Sequence, residues 1–225
     1  MLDFVALAQE CAPTVAHQTM AAVVNVESGY NPYAIGVVGG RLARQPKNAE
    51  EAVATAQALE QGGWNFSLGI AQVNRYNLPK FNLSYREAFE PCANLRAGSK
   101  ILEECYTRAS GKFPDAQAAL QAALSCYYSG NFSRGFRPDT PGKPSYVQKV
   151  LASAGQPALA IPVVPAVAGA ATPAKPATAA RPAPAEDSPV LLRAVRPAKP
   201  AEAGEGADER EAQAKPAAAN PAIVF

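Results

Sequence analysis

The strongest constraint on this chain is a compositional break at Gln156. Every tryptophan, histidine, cysteine, methionine and tyrosine lies before it, whereas the stretch after it holds 12 of the 21 prolines and no aromatic residue until Phe225. Such an Ala/Pro/Val-rich stretch has too little bulky apolar surface to offset the entropy lost on ordering. The sequence therefore predicts a single folded domain over residues 1–155, a comfortable size for one core, and a disordered tail over 156–225. Runs around Pro173 to Pro184 and Pro197 to Pro200 favour extended polyproline geometry. They suit a flexible spacer, a tether, or a peptide that another protein grips.

Charge excludes several partners. The formal net charge is +2, and the tail's seven basic and seven acidic residues cancel, so the excess belongs to the domain. Its cations (Arg41, Arg44, Lys47, Arg75, Lys80, Arg86, Arg96, Lys100) are scattered, without the stripe that a nucleic-acid backbone selects. No run approaches the roughly 20 apolar residues of a membrane span. Cys11, Cys92, Cys105 and Cys126 match no metal or redox spacing. They are either two disulfides, which point to an oxidising compartment such as the periplasm, or four buried thiols. At the N-terminus, Asp3 and a short apolar run do not make a signal peptide. The expectation is a chain that begins after its signal or leaves by another route.

Hydrophobic spacing predicts a mostly helical domain. Residues Leu2 to Gln9 form a short helix, and Pro13-Thr14 opens a second one with Met20, Val23 and Val24 on one face. Ser28-Gly29 and Asn31-Pro32 end it, which leaves Glu27 in the last turn. Ile35 to Leu42, with Gly39-Gly40 inside, resembles a tight hairpin. Asn48 and Glu51 make a capping box for a helix to Gln61. Phe66 to Asn74 reads as a short strand or an extended stretch beside a binding cleft, and helices follow over Ala93 to Ala109, from Asp115 to Tyr128, and over Ser145 to Ala154. A helical body with a small extended lobe commonly leaves a groove between them.

The chemistry must come from carboxylates, tyrosines and amides. A lone histidine, His17, cannot build a triad or a zinc site, and Gly36 to Gly40 lacks the lysine of a phosphate loop. No metal or cofactor is expected. Glu27 faces the negative end of a helix dipole, which disfavours its ionised form. Desolvation by Tyr30, Tyr127 or Tyr128 would keep it protonated near neutral pH, as a general acid requires. The plain alternative is a solvated glutamate that happens to end a helix.

Three segments occur in order: Glu27-Ser28-Gly29-Tyr30-Asn31-Pro32, Gly69-Ile70-Ala71-Gln72-Val73-Asn74, and Tyr127-Tyr128-Ser129-Gly130. Together they resemble the Glu-Ser, Gly-Leu-Met-Gln and Ala-Tyr-Asn-Ala-Gly motifs of the soluble lytic transglycosylases of the lysozyme superfamily. Gly36 to Gly40 and Trp64 to Asn77 look, more narrowly, like the VirB-type transglycosylases of type IV secretion systems. The resemblance covers residues 1 to 154 and implies a mainly α, lysozyme-like α+β fold with a small β-lobe beside a glycan-binding groove. It implies Glu27 as catalytic acid and base, with Ser28, Gln72, Asn74, Tyr127 and Tyr128 around the substrate. Ile70-Ala71 and Tyr128 depart from the family pattern.

The resemblance also suggests a Cys11–Cys92 disulfide, leaving Cys105 and Cys126 able to pair with each other. Glu50, Glu51, Glu60, Glu87 and Glu90 are expected on solvated helix faces, so no second carboxylate accompanies Glu27. The implied substrate is peptidoglycan, and the implied partners are secretion-system subunits, engaged through the tail. A goose-type lysozyme hydrolase and a non-catalytic glycan-binding assembly module are the competing readings.

Overall fold

The computed structural model describes residues 3–155, Val190 and residues 192–194. Helix α1 (Phe4–Cys11) begins later than its apolar pattern suggests, because the Asp3 side chain accepts the Val5 N–H at 3.0 Å and fixes the start. Helix α2 (His17–Ser28) likewise starts four residues beyond Pro13. Thr14 does not cap it; its hydroxyl donates to Glu103 at 3.2 Å. Gly29, at φ 58°, stops α2 directly after Ser28, a conformation that glycine adopts without strain.

The lobe follows as β1 (Ile35–Val37), β2 (Gly40–Leu42), α3 (Ala49–Gln61), β3 (Phe66–Leu68) and β4 (Val73–Asn74). The expected hairpin between β1 and β2 does not form. Strand β1 pairs antiparallel with β3, Ile35 opposite Leu68, and β3 pairs with β4. β1 is buried throughout, whereas β2 presents one exposed and one half-buried residue, so the more apolar strand joins the sheet over the lobe core, at its edge beside β3. β2 pairs instead with β5 (Leu192–Ala194), three residues from within the stretch expected to be disordered. The rest of that expectation lies outside the described residues.

Glu51 is a second correction. It is buried rather than solvated, paired with Arg44 and accepting the Lys47 N–H at 2.7 Å. Asn48 caps α3 as expected, accepting the Glu51 N–H at 2.8 Å. The Glu51 carboxylate, however, serves the preceding turn instead of completing the box. The Arg44 guanidinium and the Lys47 N–H hold that carboxyl below its ordinary range.

Helix α4 (Tyr85–Ala88) leads into α5 (Pro91–Ser110), followed by α6 (Ala116–Ser129) and α7 (Tyr146–Ser153). Two apolar cores result. One joins α1, α2, α5, α6 and α7 through residues such as Met20, Val24, Leu95, Leu124 and Val147. The other lies under the lobe, with Ile35, Val37, Phe66, Leu68, Ala52 and Ala56. Each fully buried Leu or Val contributes roughly 1.5–3 kcal/mol. Helix α5 serves both cores, with Leu95 and Leu102 facing the first and Ala97 and Ile101 the second.

Candidate active site

Glu27 is 1 % exposed, in the last turn of α2. Tyr146 donates its hydroxyl to Glu27 Oε1 at 2.5 Å, while Oε2 is buried without a hydrogen-bond partner. Burial pushes the carboxyl up from 4.5 to about 8, against the opposing pull of the Tyr146 hydroxyl and the Lys149 charge. The helix terminus is thus not the leading cause; desolvation is. A carboxyl in this state is a neutral acid at pH 7, and its free Oε2 is the oxygen that can hand over a proton.

The segment Gly69 to Asn74 faces the same region from the lobe. Gly69 has φ 76°, and a Cβ there would lie 2.4 Å from the Ala88 carbonyl and 2.5 Å from Asn94 Nδ2, so no other residue fits. Asn94 on α5 clamps the segment. Its Nδ2 donates to the Leu68 and Ala88 carbonyls at 2.8 and 2.7 Å, and its Oδ1 accepts the Ala71 N–H at 2.8 Å. From α2, Ser28 donates to the Ile70 carbonyl at 2.7 Å. Gln72, at φ 49°, donates through Nε2 to the Ala34 and Gly69 carbonyls, and its Oε1 is buried and unpartnered.

Three tyrosines complete the arrangement. Tyr127 donates to the Ala71 carbonyl at 2.5 Å, tying α6 to the lobe segment. Gly98 permits this approach, since a Cβ there would meet Ala71 at 2.7 Å and the Tyr127 hydroxyl at 3.0 Å. Tyr128 stacks on Tyr146 with centroids 4.6 Å apart and donates to Asp139 at 2.6 Å. Burial, then the Glu27 charge, raises the Tyr127 and Tyr146 hydroxyls well above the ordinary phenol range, so both stay neutral donors.

Ser67, Gln72, Asn74, Tyr127, Tyr128 and Gly130 line a groove between the lobe and helices α5 and α6. Five of the six residues singled out in the sequence, Glu27, Ser28, Gln72, Tyr127 and Tyr128, are joined by this network. Asn74 lines the groove, but its polar atoms are committed within the lobe: Nδ2 to Asn65 at 2.9 Å and Oδ1 to the Tyr76 N–H at 3.1 Å. Sequence reasoning missed Tyr146 and Asn94. The Ser145–Gln148 capping box locates the helix that starts at Tyr146 and says nothing of where the ring points. Both cysteine pairs are disulfides, Cys11–Cys92 and Cys105–Cys126, and the second lines the groove beside Arg108. Among the described residues no cluster of His, Cys, Asp and Glu could hold a metal ion, and no helix is long and apolar enough to cross a membrane.

A buried neutral glutamate, a glycine-dependent amide segment and a tyrosine wall on a helical body with a three-stranded lobe are the parts of a lysozyme-like glycan-cleaving enzyme. The model of the transglycosylase SLT domain family matches residues 4–139. The chain belongs to that family, and it is a peptidoglycan lytic transglycosylase. Among its relatives, type IV secretion system protein virB1 of Brucella suis biovar 1 is 66% identical over 168 residues, covering 74% of this chain and 70% of the relative. The virB1 protein of Agrobacterium fabrum is 31% identical over 156 residues, covering 68% and 60%. No solved structure matches the chain significantly.

Proposed function

We propose that Glu27 is the single acid and base of this enzyme, within a catalytic domain over residues 1–155 that carries residues 156–225 as its tail. The observation that supports this reading is the Glu27 carboxyl itself, neutral to about pH 8 and with Oε2 free. Glycosidases that use two carboxyls place them on either side of the scissile bond. Here Glu104, the carboxylate among the described residues that line the groove, is half-exposed and ion-paired with Lys80 at 2.5 Å. Asp139 is ion-paired with Arg134 and accepts the Tyr128 hydroxyl.

Glu27 protonates the glycosidic oxygen between N-acetylmuramic acid and N-acetylglucosamine, and the bond from that oxygen to the muramyl C1 breaks. The muramyl acetamido oxygen bonds to C1 and spreads the positive charge. The Glu27 carboxylate then takes the proton from the 6-hydroxyl as O6 attacks C1. The acetamido oxygen leaves C1, a 1,6-anhydro ring closes, and Glu27 is protonated again. Gln72 Oε1 accepts the acetamido N–H, an acceptor role for which it has no competing partner. Tyr146 steadies the carboxyl, and Tyr127 and Ser28 hold the lobe segment in register. A buried, water-poor carboxyl favours the internal hydroxyl over water.

The two disulfides and the peptidoglycan substrate support a working location outside the cytoplasm, in the periplasm. Likeness to the secretion-system relatives supports local opening of the cell wall for a type IV secretion channel, with channel subunits as partners. Mass spectrometry of muropeptides released from purified peptidoglycan, with Glu27→Gln as control, tests the chemistry. Anhydro-muramyl ends that vanish in the variant are expected. Reducing ends would establish a goose-type hydrolase, and no release from folded wild type would leave a glycan-binding module.

A further inference from the structure

Outside the groove, the lobe carries a second arrangement of unusual form. Strand β2 has β5 as its ladder partner, with Gly40 opposite Ala194, Arg41 opposite Arg193 and Leu42 opposite Leu192. Val190, just ahead of β5, is 9 % exposed and belongs to the lobe core with Leu42, Ala52 and Leu59. Its N–H donates to Thr55 Oγ1 on α3 at 3.0 Å. Thr55 is itself 1 % exposed, and its hydroxyl hydrogen is already given to the Glu51 carbonyl at 2.7 Å. Its remaining acceptor capacity therefore meets the incoming backbone. An open strand edge, an apolar seat and a buried acceptor coincide at one place, which is what an extended peptide needs in order to dock by strand addition.

We propose that the β2 edge is a peptide-docking site and that Val190 with Leu192–Ala194 is its ligand, so that the tail is latched to the catalytic domain in cis. The latch is short, three register pairs, with Arg193 at the register position opposite Arg41. A free peptide of this sequence would hold poorly. Covalent attachment makes the association intramolecular, which compensates for weak pairing.

Amide hydrogen exchange on the full chain tests the latch. Val190→Asp puts a charge in the apolar seat, and the amides of Gly40–Leu42 should then exchange about tenfold faster or more, with amides of α2 and α5 unchanged as evidence of an intact fold. Arg193→Glu converts the like-charge register pair to an opposite-charge pair and should slow exchange at the same amides below the wild-type rate. Rates equal to wild type in both variants would overturn the latch. Paired Arg41→Cys and Arg193→Cys substitutions add a covalent readout by peptide mapping without reductant. An intramolecular 41–193 bridge is expected; a bridge between two chains, or none with both natural disulfides in place, would overturn docking in cis.

Discussion

Around Glu27 the helical body works through side chains, whereas the lobe works through its main chain. Tyr146 holds the carboxyl with its hydroxyl, and the Tyr128 ring stacks on that of Tyr146 behind it. The lobe receives Ser28 and Tyr127 on the carbonyls of Ile70 and Ala71, and Gln72 on that of Gly69. Acid strength is therefore set where side chains pack, and reach across the groove is set by backbone that one asparagine clamps. This division explains how Ile70-Ala71 can stand where the family usually has Leu-Met: the hydrogen bonds to this segment are made through carbonyls, which every residue has.

The largest effect should fall on the helical side. Glu27→Gln should cut muropeptide release by about 10³-fold or more, with binding to the glycan retained in a pull-down assay. The same substitution should stabilise the fold. A folded pKa of about 8 against 4.5 unfolded means that the native state holds the extra proton, so wild-type stability falls as pH rises between those values. Glu27→Gln escapes this loss. Its advantage in urea unfolding should be near zero below pH 4.5 and reach about 2–5 kcal/mol above pH 8. An advantage that does not grow with pH would mean that the carboxyl is not desolvated.

On the lobe side, Asn94→Ala orphans two carbonyls and one N–H in the interior. It should cost about 3–5 kcal/mol by denaturant unfolding and lower activity through misplaced Gln72. A loss below about 1 kcal/mol would break the idea of a backbone clamp. Tyr146→Phe comes next. It keeps the stack on Tyr128 but removes a hydrogen bond that favours ionised Glu27. The alkaline limb of the pH–rate profile, expected near pH 8, should move upward while the maximum rate falls about tenfold. The smallest effect belongs to the Lys80–Glu104 ion pair, whose side chains are 52% and 49% exposed. A double-mutant cycle should find about 0.5 kcal/mol or less.

Glu27 stood out through the capping Gly29 that puts it in the last turn of α2, whereas Gln72 and the role of Tyr127 were legible only through the resemblance to the transglycosylase motifs. Chain topology was less so. Gly39-Gly40 marks a reversal between β1 and β2, yet which strand pairs with which depends on burial of both faces of β1, and β5 arrives from 150 residues further on. Tyr146 was missed because 119 residues separate it from Glu27, and a capping box fixes a helix start without its rotation. Glu51 was misread because α3 carries adjacent glutamates, Glu50 and Glu51, and only packing decides which one turns inward.

The Cys11–Cys92 bond spans 81 positions of sequence, and both Glu27 and Gln72 lie between its ends. The two halves of the active site thus sit on one covalent ring. A protease that nicks the exposed stretch 43–45 would open the ring without releasing a fragment, and the nicked enzyme would run as a single species until a reductant is added. In an oxidising compartment, such damage would leave Glu27 and Gln72 on one molecule.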